Sequence, residues 1–107
     1  MKQYNEKHIN KFSKQELEKL GAQGQLIDVR TEEEYELAHI NGATLHPVDK
    51  IESFNKDKNK TYYIHCKSGT RSTKASEYLA EQGYDIVNLD GGYKAYEEKN
   101  DDDNTFE

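Results

Sequence analysis

Three short apolar runs, Leu26-Ile27, Tyr62-Tyr63-Ile64 and Ile86-Val87, are separated along the chain by longer polar stretches with helical spacing. Runs this short, rich in β-branched and aromatic residues, predict strands over "QLIDV", "TYYIH" and "YDIVNL". The stretches between them carry helix signals. "SKQELEKLG" opens with Ser13 and Glu16 at capping-box spacing and closes at Gly21, which predicts a helix over 13–20. Thr31 and Glu34 repeat the device in "TEEEYELA" and start a second helix directly after Arg30. "NGATLHP" predicts a short strand stopped near Pro47, followed by a weak helix from Val48 to Phe54 and the polar loop "NKDKNK". Ala75, Tyr78, Leu79 and Gln82 fall on one face of the next helix, which Gly83 ends. "GGYKAYEEK" predicts a last helix, so residues 1–98 read as one domain and 99–107 as an acidic tail expected to be flexible.

Strands separated by helices, with no hairpin dipeptide between them, predict parallel pairing through right-handed crossovers. The expected fold is α/β, a small parallel sheet flanked by helices on both faces. In such sheets ligands bind beyond the carboxyl ends of the strands. Cys66, Asp28, Arg30 and the Asp90-Gly91-Gly92 turn all fall at that end.

Composition narrows the function classes. With 107 residues the chain has room for a single core. Leu, Ile, Val and Phe together make under a fifth of it, and eight tyrosines supply further apolar area. The net charge of -6 argues against a nucleic-acid or anionic-membrane surface, both of which need clustered cations. No apolar stretch approaches a membrane span, and "MKQYNEKHIN" lacks the apolar core of a signal peptide, which points to a cytoplasmic protein. A single cysteine excludes an internal disulfide and any metal site built on several thiolates, and no metal or organic cofactor is expected.

That cysteine carries the candidate chemistry. In "YYIHCKSGTRSTKASEYLAEQGY", Cys66 stands between the central strand and a helix, followed by Lys67, Ser68, Gly69, Thr70 and Arg71. Backbone N–H groups of such a loop, with those of the helix start, can converge on one small volume and favour an anion. Gly69 permits a left-handed turn, Ser68 and Thr70 offer hydroxyl donors, and Lys67 and Arg71 add charge. Thiols in such settings titrate between roughly 3.5 and 7.5, which makes a nucleophile at neutral pH. An isolated cysteine is more often a small buried hydrophobe; here its neighbours favour the nucleophile. His65, by strand alternation, points away from Cys66 and reads as core or surface, and His39 and His46 have no partner visible in the sequence.

The segments "LIDVRTEEEYELAHINGA", "YYIHCKSGTRSTKASEYLAEQGY" and "VNLDGG" resemble the rhodanese family of sulfurtransferases, in order and at family spacing, over Leu26 to Tyr96. The resemblance implies the same α/β fold, a catalytic Cys66 that carries a persulfide, and an active-site loop from Cys66 through Arg71. The family's aspartate and arginine fall on Asp28 and Arg30, as a scaffold ion pair. "AHING" replaces the commoner Gly-His-Ile-Pro-Gly, and Tyr96 stands where many members have tryptophan.

Cysteine-dependent phosphatases also set a cysteine and an arginine around an anion, but with five residues between them, where four separate Cys66 from Arg71. The shorter loop suits a terminal sulfur better than a tetrahedral phosphate. Phosphatase or arsenate reductase is therefore the alternative enzyme reading, and a non-catalytic rhodanese-like binding module the alternative outside catalysis. The expected partners are a small anionic sulfur donor and a thiol, cyanide or protein acceptor, and the expected assembly is a monomer.

Overall fold

The structure, a computed structural model, describes residues 3–102. Five parallel strands form one sheet in the order β1-β5-β4-β2-β3: β1 (Asn5–His8), β2 (Leu26–Asp28), β3 (Thr44–Leu45), β4 (Thr61–His65) and β5 (Asp85–Asp90). The helices are α1 (Lys14–Ala22), α2 (Glu32–Leu37), α3 (Thr70–Glu81) and α4 (Gly92–Asp102), with 3-10 turns over Ile9–Lys11 and Val48–Ser53. The α/β class and the parallel pairing are as the sequence predicts.

Alternation along the central strands divides the core in two. Ile27, Val29, Tyr62, Ile64, Cys66 and Ile86 face the layer of α3 and the Val48–Ser53 turn, where Ala75, Leu79 and Phe54 meet them. Leu26, Val87 and Leu89 face the opposite layer, with Leu17 of α1 and Tyr96 of α4. Phe54, Tyr62 and Tyr84 pack edge to face, their ring centroids 5.2–5.9 Å apart. The tyrosines thus supply the area that a short supply of aliphatic residues leaves wanting.

Both capping boxes form. Ser13 Oγ accepts from Glu16 N at 3.0 Å while Glu16 Oε1 accepts from Ser13 N at 2.8 Å, and Thr31 and Glu34 exchange the same bonds at 3.2 and 2.9 Å. Three expectations are corrected. Asn5–His8 forms an edge strand that the pattern did not announce, because all four of its side chains are polar and exposed. The buried face of α3 runs through Ser72, Ala75, Ser76, Leu79 and Ala80, and Gln82 is exposed; two buried serines disguise that stripe as polar. The last helix continues to Asp102, and the rest of the expected tail, residues 103–107, lies outside the described residues. Among the described residues no helix is long and apolar enough to cross a membrane.

Candidate active site

Cys66 leaves the carboxyl end of β4 and is 1% exposed. Its sulfur sits over the first turn of α3. Gly69 N–H donates to Sγ at 3.1 Å and Ser72 N–H at 3.3 Å, and the Ser72 hydroxyl lies 3.5 Å away. The turn that aims these groups needs a glycine: Gly69, just before α3, has φ 121. Its carbonyl is fixed from the other side by the hydroxyls of Thr73 at 2.7 Å and Ser72 at 3.1 Å. Burial alone pushes the thiol up. The Ser72 hydroxyl and the N–H groups of Ser72, Gly69 and Ser68 outweigh that and hold it below its ordinary value.

A second helix end secures the backbone of the same loop. Tyr93 N–H donates to the Cys66 carbonyl at 2.7 Å and Lys94 N–H to the Lys67 carbonyl at 3.0 Å. The approach is so close that a Cβ on Gly92 would lie 2.5 Å from the Lys67 oxygen.

The cations at the site are not equivalent. Arg71, one-third exposed, gives both guanidinium arms to Glu34, at 2.6 and 3.0 Å. That pairing holds the Glu34 carboxyl down at about 2 and raises Arg71 further. Arg30 is buried and gripped by Asp28 at 2.8 Å, donates to the Ala38 carbonyl at 2.7 Å, and stacks its guanidinium 4.4 Å over the Tyr93 ring. Lys67 is exposed and has no ion-pair partner among the described residues.

The structure therefore gathers Cys66, Lys67, Gly69 and Arg71 at one strand end, with Asp28 and Arg30 beside them as the scaffold pair. Asp28 is fully buried, and although burial opposes its charge, His65 Nε2 at 3.5 Å and Arg30 hold its carboxyl far below the ordinary range. His65 lies in the core on the face opposite Cys66, as alternation predicts. The hydroxyls expected from Ser68 and Thr70 are not the ones at the sulfur: both residues are exposed, and Ser72 takes that place. Ser72 escaped the sequence reading because it lies one residue beyond the loop. The signal was there, since position three of a helix starting at Thr70 carries one of the unpaired N–H groups. Glu34 was visible only as a cap, and nothing local in the sequence brings it to Arg71. His39 stacks on Tyr35 with ring centroids 3.7 Å apart, and His46 meets the Lys50 carbonyl at 2.8 Å, both away from the sulfur's hydrogen bonds. Among the described residues no group of three or more metal-ligating side chains converges.

The family model of the rhodanese-like domain matches residues 13–99. The chain belongs to that family. Among similar proteins, the rhodanese-like chain is 39% identical over 72 residues to the thiosulfate sulfurtransferase PspE of Escherichia coli, covering 64% of this chain and 69% of that one. It is 40% identical over 78 residues to the putative sulfurtransferase YtwF of Bacillus subtilis, covering 67% and 72%. A crystal structure of a rhodanese-like domain protein from Staphylococcus aureus superposes with a TM-score of 0.64 at 39% identity, over 90% of this chain and 91% of that one. These relatives place the rhodanese-like chain in a sulfurtransferase family.

Proposed function

We propose that the protein moves sulfane sulfur from thiosulfate or a low-molecular-weight persulfide to a thiol or cyanide through a persulfide on Cys66. The observation that carries this reading is the sulfur itself, which two backbone N–H groups and the Ser72 hydroxyl meet at 3.1–3.5 Å. In the first half-reaction the Cys66 thiolate attacks the outer sulfur of thiosulfate. The donor's S–S bond breaks, and sulfite leaves with the electron pair. The new outer sulfur is an anion at neutral pH and takes the same donors that favour the thiolate. In the second, an acceptor thiolate or cyanide attacks that outer sulfur and Cys66 departs as thiolate. The Arg71–Glu34 pair also weighs against the phosphatase alternative, because both arms of the arginine that would grip phosphate oxygens are engaged.

With no second cysteine in the chain, sulfur on Cys66 can leave only to an outside molecule, so the loaded form should persist. The protein incubated with thiosulfate, freed of donor and weighed intact should gain one sulfur atom on Cys66 and lose it to cyanide or dithiothreitol. A mass that never changes with any sulfane donor, together with a phosphorylated Cys66 from an aryl phosphate, would replace this reading with the phosphatase.

A further inference from the structure

A cleft of about 190 Å³ is lined by Lys67, the residue that follows the nucleophile in the chain, together with Glu97, Tyr93, Arg30, Glu34, Ala38 and Leu37. Its charges sort into two kinds. Arg30 is cancelled by Asp28, and Glu34 by Arg71. Lys67 and Glu97 remain, both exposed and neither ion-paired among the described residues. Once the internal pairs are removed, the cleft offers one ammonium and one carboxylate with no net charge. A dianion finds a single cation there and meets a carboxylate. A molecule with one charge of each sign finds a partner for both.

Size agrees with a small molecule: at about 190 Å³ the cleft falls below the 300 Å³ or so where pockets for drug-sized ligands begin. Its walls are also fixed in place. Tyr93 is held by the guanidinium above its ring and by its backbone bond to Cys66, so the cleft and the nucleophile share one support.

We infer that the sulfur acceptor of this site is a small zwitterionic amino thiol of the cysteine type, its carboxylate on Lys67 and its ammonium on Glu97. The inference rests on the sulfurtransferase reading above. The acceptor thiolate attacks the outer sulfur of the Cys66 persulfide, a new S–S bond forms on the acceptor, and the old one breaks with its electron pair returning to Sγ. Nothing is oxidised or reduced overall. The product is the persulfide of the amino thiol.

The test loads Cys66 from thiosulfate and measures its discharge by four thiols, each rate divided by thiolate concentration: cysteine, cysteamine without the carboxylate, 3-mercaptopropionate without the ammonium, and glutathione. Cysteine should discharge the persulfide about fivefold faster than either truncated thiol, the upper end of what one exposed ion pair contributes. Glutathione should be slower than cysteine. In Glu97→Gln the preference for cysteine over 3-mercaptopropionate should disappear, and in Glu97→Lys it should invert. Equal rates for the four thiols, a faster glutathione, or a preference that survives Glu97→Gln would overturn the acceptor assignment while leaving the sulfurtransferase intact. Failure of Cys66 to load at all is a different result, and it removes the sulfurtransferase reading together with its acceptor.

Discussion

Two helix N-termini meet at this site and are put to opposite uses. The start of α3 aims its N–H groups at a side chain, the Cys66 sulfur, at 3.1 and 3.3 Å. The start of α4 aims its own at the backbone, the carbonyls of Cys66 and Lys67, at 2.7 and 3.0 Å. Both ends carry the same unpaired donors and the same partial positive charge. The difference lies in the acceptor: a carbonyl cannot leave or change charge, so α4 serves as a fixed clamp, whereas a thiol sulfur can gain and lose charge. The glycines record that division. At Gly69 an added Cβ would find only Asp90 Oδ1, at 3.7 Å, while at Gly92 it would strike the loop backbone. Polarity at the sulfur and mechanical support come from one device used twice.

Replacing Cys66 by Ser breaks the α3 half of this comparison most completely. Sulfur transfer should be abolished, since a hydroxyl is not ionised at neutral pH, while circular dichroism and the thermal transition stay near those of the parent because the α4 clamp holds only main-chain carbonyls. Gly92→Ala breaks the other half. Its backbone, at φ 62, and the 2.5–2.7 Å approaches to the Cys66 and Lys67 carbonyls leave no room, so unfolding should become easier by about 3 kcal/mol, a melting-temperature loss on the order of 10–20 °C. A melting temperature unmoved in Gly92→Ala would show that α4 is not a clamp.

Ser72→Ala sharpens the comparison by removing from α3 the hydroxyl that lies 3.5 Å from the sulfur, and nothing from α4. The thiol should titrate higher, followed by thiolate absorbance near 240 nm, and transfer at neutral pH should fall by about tenfold, the worth of a charge-assisted hydrogen bond near the low end of its range. The parent's activity should rise with pH and level off below the ordinary thiol range, because its thiol is held below the usual value and the thiolate is the reactive form.

Glu34→Gln has the smallest effect. Glutamine keeps the capping box and loses the charge that faces Arg71. The Glu34 carboxyl is depressed to about 2, so its contribution to stability is whole above the ordinary value of 4.5 and is lost as pH falls towards 2. The variant should differ from the parent by no more than about 1 kcal/mol at neutral pH, as expected of a partly exposed pair, with the difference shrinking in acid. Denaturant titrations at several pH values measure both.

Much of this was legible in the sequence because the signals were local. Each capping box is a four-residue pattern, and each central strand an apolar run. Cys66, Gly69 and the helix start at Thr70 are consecutive enough to be read as one device. What escaped was whatever depends on the sheet being assembled. Asn5–His8 has no apolar side chain and becomes a strand only because β5 offers it an edge. Ser72 and Ser76 count as polar in any pattern yet face the sheet. Glu34 and Arg71 are 37 residues apart, and their pairing appears only once α2 and α3 stand over neighbouring strands. The double duty of Glu34, as cap and as counter-ion, was half visible for that reason.

The place of β1 bears on how the molecule comes off the ribosome. Its residues pair with β5, and Glu6 reaches Asn88 across 82 positions of sequence at 2.8 Å. At about 5–20 residues per second, the segment that forms β1 waits roughly 4 to 16 seconds for its partner to be synthesised. Throughout that interval the nascent polypeptide holds a charged, poorly β-forming stretch with nothing to join, which is the safest kind of segment to leave waiting because it offers no apolar surface to other chains. Translation order and edge composition are thereby matched: the strand that must wait longest is the one least able to stick.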